Sequence, residues 1–151
     1  MTDLKPILLV EDNPKDVELT LAALEQCQLA NGVIVVRDGA EALDYLAGAG
    51  RFEGRNSGGP AVVLLDLKLP KIDGLEVLER IKSDPKLRHT PVVMLTSSRE
   101  ERDLVRSYSL GVNAFVVKPV GFDQFFEAIR DLGMFWAVLN EPPPARQAPG
   151  A

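Results

Sequence analysis

Ala61-Val62-Val63-Leu64-Leu65-Asp66 is an unbroken apolar run closed by a carboxylate. A strand that does not alternate apolar with polar residues must be covered on both faces. Similar runs flank it: Ile7–Val10 and Val33–Val36 precede it, and Val92–Leu95 and Ala114–Val117 follow. Between the runs, apolar residues fall at helical spacing: Val17, Leu21 and Leu24; Leu43 and Leu46; Leu75, Leu78 and Ile81; Leu104 and Tyr108. Apolar runs alternating with helical stripes predict an α/β fold, a parallel sheet with helices on both faces. Pro14 suits the first turn of the first helix, because its missing N–H would have no partner there, and Asn13 is the expected N-cap.

The 151 residues suffice for one domain with a real core and are too few for two. A net charge of −5 and the lack of a basic stripe argue against nucleic-acid binding. Cys27 is the only cysteine, so no internal disulfide forms, and its apolar neighbours predict a core thiol. No apolar stretch is long enough to cross a bilayer, and Met1 to Pro6 does not resemble a signal peptide; a cytoplasmic location without membrane contact is expected. Gly48 to Pro60, rich in glycine, reads as a mobile loop. The domain is expected over residues 1–140, with a Pro-rich, unstructured tail over 141–151.

In an open parallel sheet, functional groups collect beyond the carboxyl ends of the strands. There the sequence places Glu11-Asp12 after the first run, Asp66 after the third, Thr96-Ser97 after the fourth and Lys118-Pro119 after the fifth. Each residue alone reads as a turn former or helix cap. Together, three carboxylates repel one another unless a cation sits among them, and a buried lysine needs partners. Oxygen-only ligands suit Mg²⁺, for which Mn²⁺ should substitute. With the ion and Lys118 supplying positive charge, Asp66 is placed to attack phosphorus and form an aspartyl phosphate, with Thr96 donating a hydroxyl to a phosphoryl oxygen.

These residues carry a resemblance. Leu9-Val10-Glu11-Asp12-Asn13, then Leu64 to Gly74 (Leu-Leu-Asp-Leu-Lys-Leu-Pro-Lys-Ile-Asp-Gly), then Met94-Leu95-Thr96-Ser97, then Val116-Val117-Lys118-Pro119 resemble, in order and spacing, the receiver domains of response regulators. The resemblance spans roughly Pro6 to Leu139. It implies a flavodoxin-like, doubly wound five-stranded sheet in the order 2-1-3-4-5, here with an extended C-terminal helix. It implies Asp66 as phosphoacceptor and Asp12 as direct Mg²⁺ ligand, with Glu11 acting mainly through water and the backbone carbonyl of Lys68 completing the protein ligands. It also implies a cis Lys118-Pro119 bond, a loop shaped by Pro70 and Gly74, and a switch pairing Thr96 with Phe115. Many family members carry Tyr where Phe115 stands; without the hydroxyl a switch must rely on packing, and a strand residue that never moves is the competing reading.

Lys68 departs from the small or polar residues common two places after the phosphoacceptor. Its side chain is expected either to pair with Glu11 or to hinder the hydrolytic water, giving a long-lived phosphoryl group. The long loop and the sequence from Gly133 to Pro142 resemble the subgroup that serves bacterial phytochrome histidine kinases. Apolar residues from Phe122 to Leu139 surround most of the last helix, more than one sheet face covers, so Phe135, Trp136, Val138 and Leu139 are expected at a homodimer interface. The expected function is a response regulator that accepts a phosphoryl group from a histidine kinase, catalyses only its own phosphorylation and slow dephosphorylation, and signals through protein contacts, since no effector domain follows Leu139. The alternatives are a phosphate sink or relay, a carboxylate hydrolase, a binding module without phosphorylation, and a nucleotide-binding flavodoxin-like protein. The hydrolase lacks an acid at Lys68 to protonate the leaving group. The nucleotide binder lacks a Walker or G-x-G-x-x-G sequence after the first strand. His89, in a loop before Thr90-Pro91, reads as a surface residue.

Overall fold

The computed structural model describes residues 5–27, 32–53, 59–107, 112 and 114–132. Five parallel strands, β1 (Ile7–Val10), β2 (Val33–Val36), β3 (Val62–Asp66), β4 (Val92–Thr96) and β5 (Ala114–Val117), form one sheet in the order β2-β1-β3-β4-β5. Helices α1 (Pro14–Gln26), α2 (Gly39–Ala47), α3 (Gly74–Ser83), α4 (Arg99–Ser107) and α5 (Phe122–Leu132) connect and follow them. This is a flavodoxin-like fold, in the strand order the resemblance implies.

The unbroken apolar runs have a direct cause in the packing. Alternate residues of a strand point to opposite faces, and each face has its own core. Ile7, Leu9, Val62, Leu64, Val93, Leu95 and Val116 pack with Val17 and Leu24 of α1 and Phe125 and Ala128 of α5. Leu8, Val10, Val63, Leu65, Val92 and Met94 pack with Tyr45 and Leu46 of α2, Val77, Leu78 and Ile81 of α3, and Val105 of α4. The central strands β1, β3 and β4 are buried at every position, while the edge strands β2 and β5 are partly open.

Helix ends follow the sequence chemistry. Pro14 opens α1, and the Asn13 side chain accepts from the N–H groups of Lys15 and Asp16. Asp38 and Asp73 cap α2 and α3 in the same way, accepting from Glu41 and Glu76.

Several expectations change. The α1 face turned inward is Val17, Thr20, Ala23 and Leu24, and Leu21 is exposed; on α4 the inward residue is Val105, with Leu104 47% exposed. Val17 and Leu24 face inward as expected, whereas Leu21 and Leu104 each stand one residue away from an inward-facing position, because short helices offer two apolar residues side by side. Strands β3 and β4 each extend one residue further than their apolar runs, so Asp66 and Thr96 are ladder residues and not loop residues. Part of the Gly48–Pro60 segment is ordered: a 3₁₀ turn at Gly50–Phe52 brings Phe52 edge-on to Tyr45, ring centroids 5.0 Å apart. Residues 54–58, Tyr108, the side chains of Ile129 and Leu132, the expected interface residues Phe135, Trp136, Val138 and Leu139, and the 141–151 tail lie outside the described residues. No helix among the described residues is long and apolar enough to cross a membrane. Cys27 is half-buried at the edge of the first core, and burial pushes its thiol up to about 11.

Gly74 begins α3 where the chain doubles back on β3. Its N–H donates to Leu67 O at 2.9 Å, and a Cβ there would lie 2.2 Å from the backbone oxygen of Asp66. Gly74→Ala is therefore expected to lower unfolding stability by about 2 kcal/mol or more, whereas Gly32→Ala, with open space around it, should stay within about 0.5 kcal/mol of the parent. Urea denaturation of the pair checks this; equal midpoints would show that the loop yields easily.

Candidate functional site

The site follows from strand register. Val10 pairs with Leu65, so Glu11, the next residue along, stands beside Asp66; Asp66 pairs with Leu95, and Thr96 pairs with Val117. The order β2-β1-β3 puts the switch in winding direction between β1 and β3, where a crevice opens at the carboxyl ends. Glu11, Asp12, Asp66, Thr96 and Lys118 therefore share one edge although they span more than a hundred positions of chain.

Glu11, Asp12 and Asp66 each offer a carboxylate oxygen within 4.8 Å of the others. Glu11 is fully buried, Asp66 is 4% exposed and Asp12 is open to solvent. Burial, then the neighbouring Asp66, raises the Glu11 carboxyl to about 7; burial likewise raises Asp66. Two carboxyl groups this close do not both ionise readily without a cation. Three hard oxygen ligands, one of them facing water, match what Mg²⁺ or Mn²⁺ takes, with water filling the remaining positions. The donor set thus fits a divalent ion, and the backbone carbonyl of Lys68, on the loop after Asp66, is a further oxygen nearby in sequence.

Lys118 is the one cation that reaches the carboxylates among the described residues. Its ammonium donates to Glu11 Oε1 at 3.2 Å, Asp16 Oδ2 at 3.1 Å and Asp66 Oδ2 at 3.3 Å. Burial alone would lower the Lys118 pKa, but Asp66, Asp16 and Glu11 outweigh it and hold the amine charged, above its ordinary value. The Lys118-Pro119 bond is cis, and Lys118 N–H donates to Thr96 O at 2.7 Å, tying β5 to the end of β4. Thr96 Oγ1 is fully buried and has no hydrogen-bond partner among the described residues. An unpaired buried hydroxyl is costly and marks a place where a ligand acceptor would be welcome.

Two features were not legible in the sequence. In sequence Asp16 has only the signature of an acidic residue in a first helical turn, where it favours the helix dipole; only the fold shows it reaching Lys118. Glu101 also emerges at the rim. One of its oxygens accepts from the Ser97 N–H at 2.7 Å and the other meets Lys68 Nζ at 3.2 Å. The Ser97 bond is the main reason its carboxyl lies below the usual range. The Lys68 side chain thus turns outward to α4 and does not pair with Glu11. At 80% exposed it is a weak partner.

Phe115 is half-buried against the second core, and the Arg106 guanidinium lies over its ring, 4.9 Å from the centroid. His89 is exposed.

Known proteins share this fold. The bacteriophytochrome response regulator AtBRR is 73% identical over 93% of this chain and all of its own, with a TM-score of 0.87. The response regulator Rcp1 of Synechocystis is 41% identical over 87% of this chain and 88% of its own; its Mn²⁺-bound crystal structure superposes with a TM-score of 0.70, at 38% identity over 96% and 99% of the two chains. The phosphorylated cyanobacterial phytochrome response regulator RcpA is 41% identical over 94% and 99%, with a TM-score of 0.72. The response regulator receiver domain profile matches residues 7–130, and the chain belongs to that family.

Proposed function

We propose that this protein is a phosphorylation switch of a two-component pathway, taking a phosphoryl group onto Asp66 from the phosphohistidine of a histidine kinase, and that the kinase is a bacterial phytochrome. The observation that carries the reading is the Lys118 ammonium bonded to Asp66 and Glu11 beside a carboxylate trio spaced for a divalent ion. The phytochrome assignment rests on the names of the relatives, AtBRR and RcpA.

In this reading an Asp66 oxygen attacks phosphorus; the new O–P bond forms as the donor's P–N bond breaks, and the departing imidazole takes up a proton. Lys118 balances charge on Asp66 and on the phosphoryl oxygens, and Thr96 Oγ1 donates to one of them. A divalent ion held by Glu11, Asp12 and Asp66, with the Lys68 carbonyl, would supply further positive charge to the same oxygens. Little else is needed, since such a transfer depends mostly on placement and neutralisation. A hydrolase reading has less support: Lys68, where a leaving-group acid would stand, points away to Glu101. The output passes through protein contacts, and homodimerisation through Phe135, Trp136, Val138 and Leu139 belongs to the same proposal.

Incubation with a small phosphodonor and Mg²⁺ should add one phosphoryl increment to the intact mass, and Asp66→Asn should abolish it. A label that survives the substitution would move the site elsewhere.

The carboxyl groups also set a pH dependence. Glu11 titrates near 7 in the folded state against 4.5 for the free side chain, and Asp66 is raised as well. Across that window the folded state holds more protons than the unfolded, so stability falls as pH rises. The metal-free protein should melt at progressively lower temperature from about pH 5 to about pH 8, and Mg²⁺, which binds the deprotonated groups, should flatten the decline. Scanning fluorimetry in both conditions checks this; a flat metal-free profile would show that the acids are not coupled to folding.

A further inference from the structure

Asp16 belongs to no part of the phosphoryl-transfer scheme above, yet it makes the shortest of the three bonds to Lys118, at 3.1 Å against 3.2 Å and 3.3 Å. Its place is set by local structure. Pro14 starts α1, the Asn13 side chain accepts from the Asp16 N–H at 3.1 Å, and the first turn so formed brings the carboxylate over the end of β5. The side chain is 26% exposed, against 0% for Glu11 and 6% for Asp66.

An ammonium has three hydrogens, and each here has its own carboxylate. Two of those carboxylates, Glu11 and Asp66, also belong to the trio spaced for a divalent ion; Asp16 does not. A doubly charged ion among Glu11, Asp12 and Asp66 would draw their oxygens and repel the amine. Asp16 is then the one partner of Lys118 with no competing task. By keeping one hydrogen it fixes the direction of the other two, towards Asp66 and the incoming phosphoryl oxygens.

We propose that Asp16 is a positioning residue for phosphoryl transfer, holding the Lys118 ammonium at Asp66 while Glu11 and Asp66 turn to the metal ion. The inference rests on the proposed phosphorylation of Asp66. Asp16 touches neither the phosphoryl group nor the metal; it acts through Lys118. Its loss should therefore slow transfer without weakening metal binding, a separation that general damage to the fold would not produce.

The test compares the full chain with Asp16→Ala, Asp16→Asn and Asp16→Glu. Acetyl phosphate is the donor, Mg²⁺ is saturating, and label is followed by intact mass. Mg²⁺ affinity is measured in parallel by calorimetry, with melting temperature as the check on folding. Asp16→Ala and Asp16→Asn should be labelled roughly tenfold more slowly, the order of rate lost when a charged group is misplaced by a fraction of an ångström. Mg²⁺ affinity should fall much less than the rate does, since Asp16 is not one of the trio. Asp16→Glu, which restores the charge, should recover much of the rate. Wild-type labelling rates in Asp16→Ala would overturn the proposal, as would a rate loss matched by an equal loss of Mg²⁺ affinity or left unrescued by Asp16→Glu. If the parent itself takes no label, or takes it at a site other than Asp66, the phosphorylation reading fails first and this inference falls with it. Labelling of Asp66 in the parent with no effect at Asp16 rejects the positioning role alone.

Discussion

The sharing of one ammonium among three carboxylates at the carboxyl edge of the sheet is the constraint on which the rest depends. Removing Glu11 and Asp66 from water costs several kcal/mol for each ionised group. That cost is met from two sources. Lys118 offsets part of it locally. The remainder comes from the sheet itself, where Ile7, Leu8, Leu9, Leu64, Leu65, Met94 and Leu95 are fully buried, each contributing about 1.5–3 kcal/mol. Burial and the neighbouring Asp66 still leave the Glu11 carboxyl raised, and a further cation would favour its charged form. The unfavourable charge is thus kept available for a ligand and not neutralised within the chain.

Topology turns residues distant in sequence into neighbours. Parallel register sets Glu11 beside Asp66 through the pairing of Val10 with Leu65, and the order β2-β1-β3-β4-β5 brings Thr96 and Lys118 in from the other side. Because Asp66 and Thr96 are themselves strand residues, their backbones are held by ladder hydrogen bonds. The loop after Asp66 is closed by Gly74, whose N–H donates to Leu67 O and whose position leaves no room for a Cβ. Asp66 and Thr96 thus stand on rigid elements, as placement-dependent chemistry of the kind proposed requires.

Much of this was legible in the sequence. The unbroken runs implied strands covered twice, and the residues closing them were recognisable as one constellation because strand ends in a parallel sheet share an edge. What could not be read depended on direction and reach. Leu21 and Leu104 sit next to the inward-facing residues of their helices, and periodicity in a short helix does not separate neighbours one step apart. The acidic partner expected for Lys68 is Glu11; α4 instead brings Glu101 to it, and no local signal encodes that approach. Asp16 carries the ordinary signature of a helix start, and its link to Lys118 spans 102 positions of sequence. Phe52 was assigned to a loop by the glycines around it, although its contact with Tyr45 ties down the start of that segment.

The gradient of exposure across the carboxylate trio has a consequence for traffic. The central strands are covered on both faces, so Asp12 is the open member of the trio and Asp66 lies buried behind it. In the proposed scheme a phosphodonor and a metal ion would reach Asp66 past that exposed carboxylate. A protein seated over Asp12 would then control access to Asp66, and the lifetime of the proposed phosphoryl group would be a property of the pair as much as of this chain.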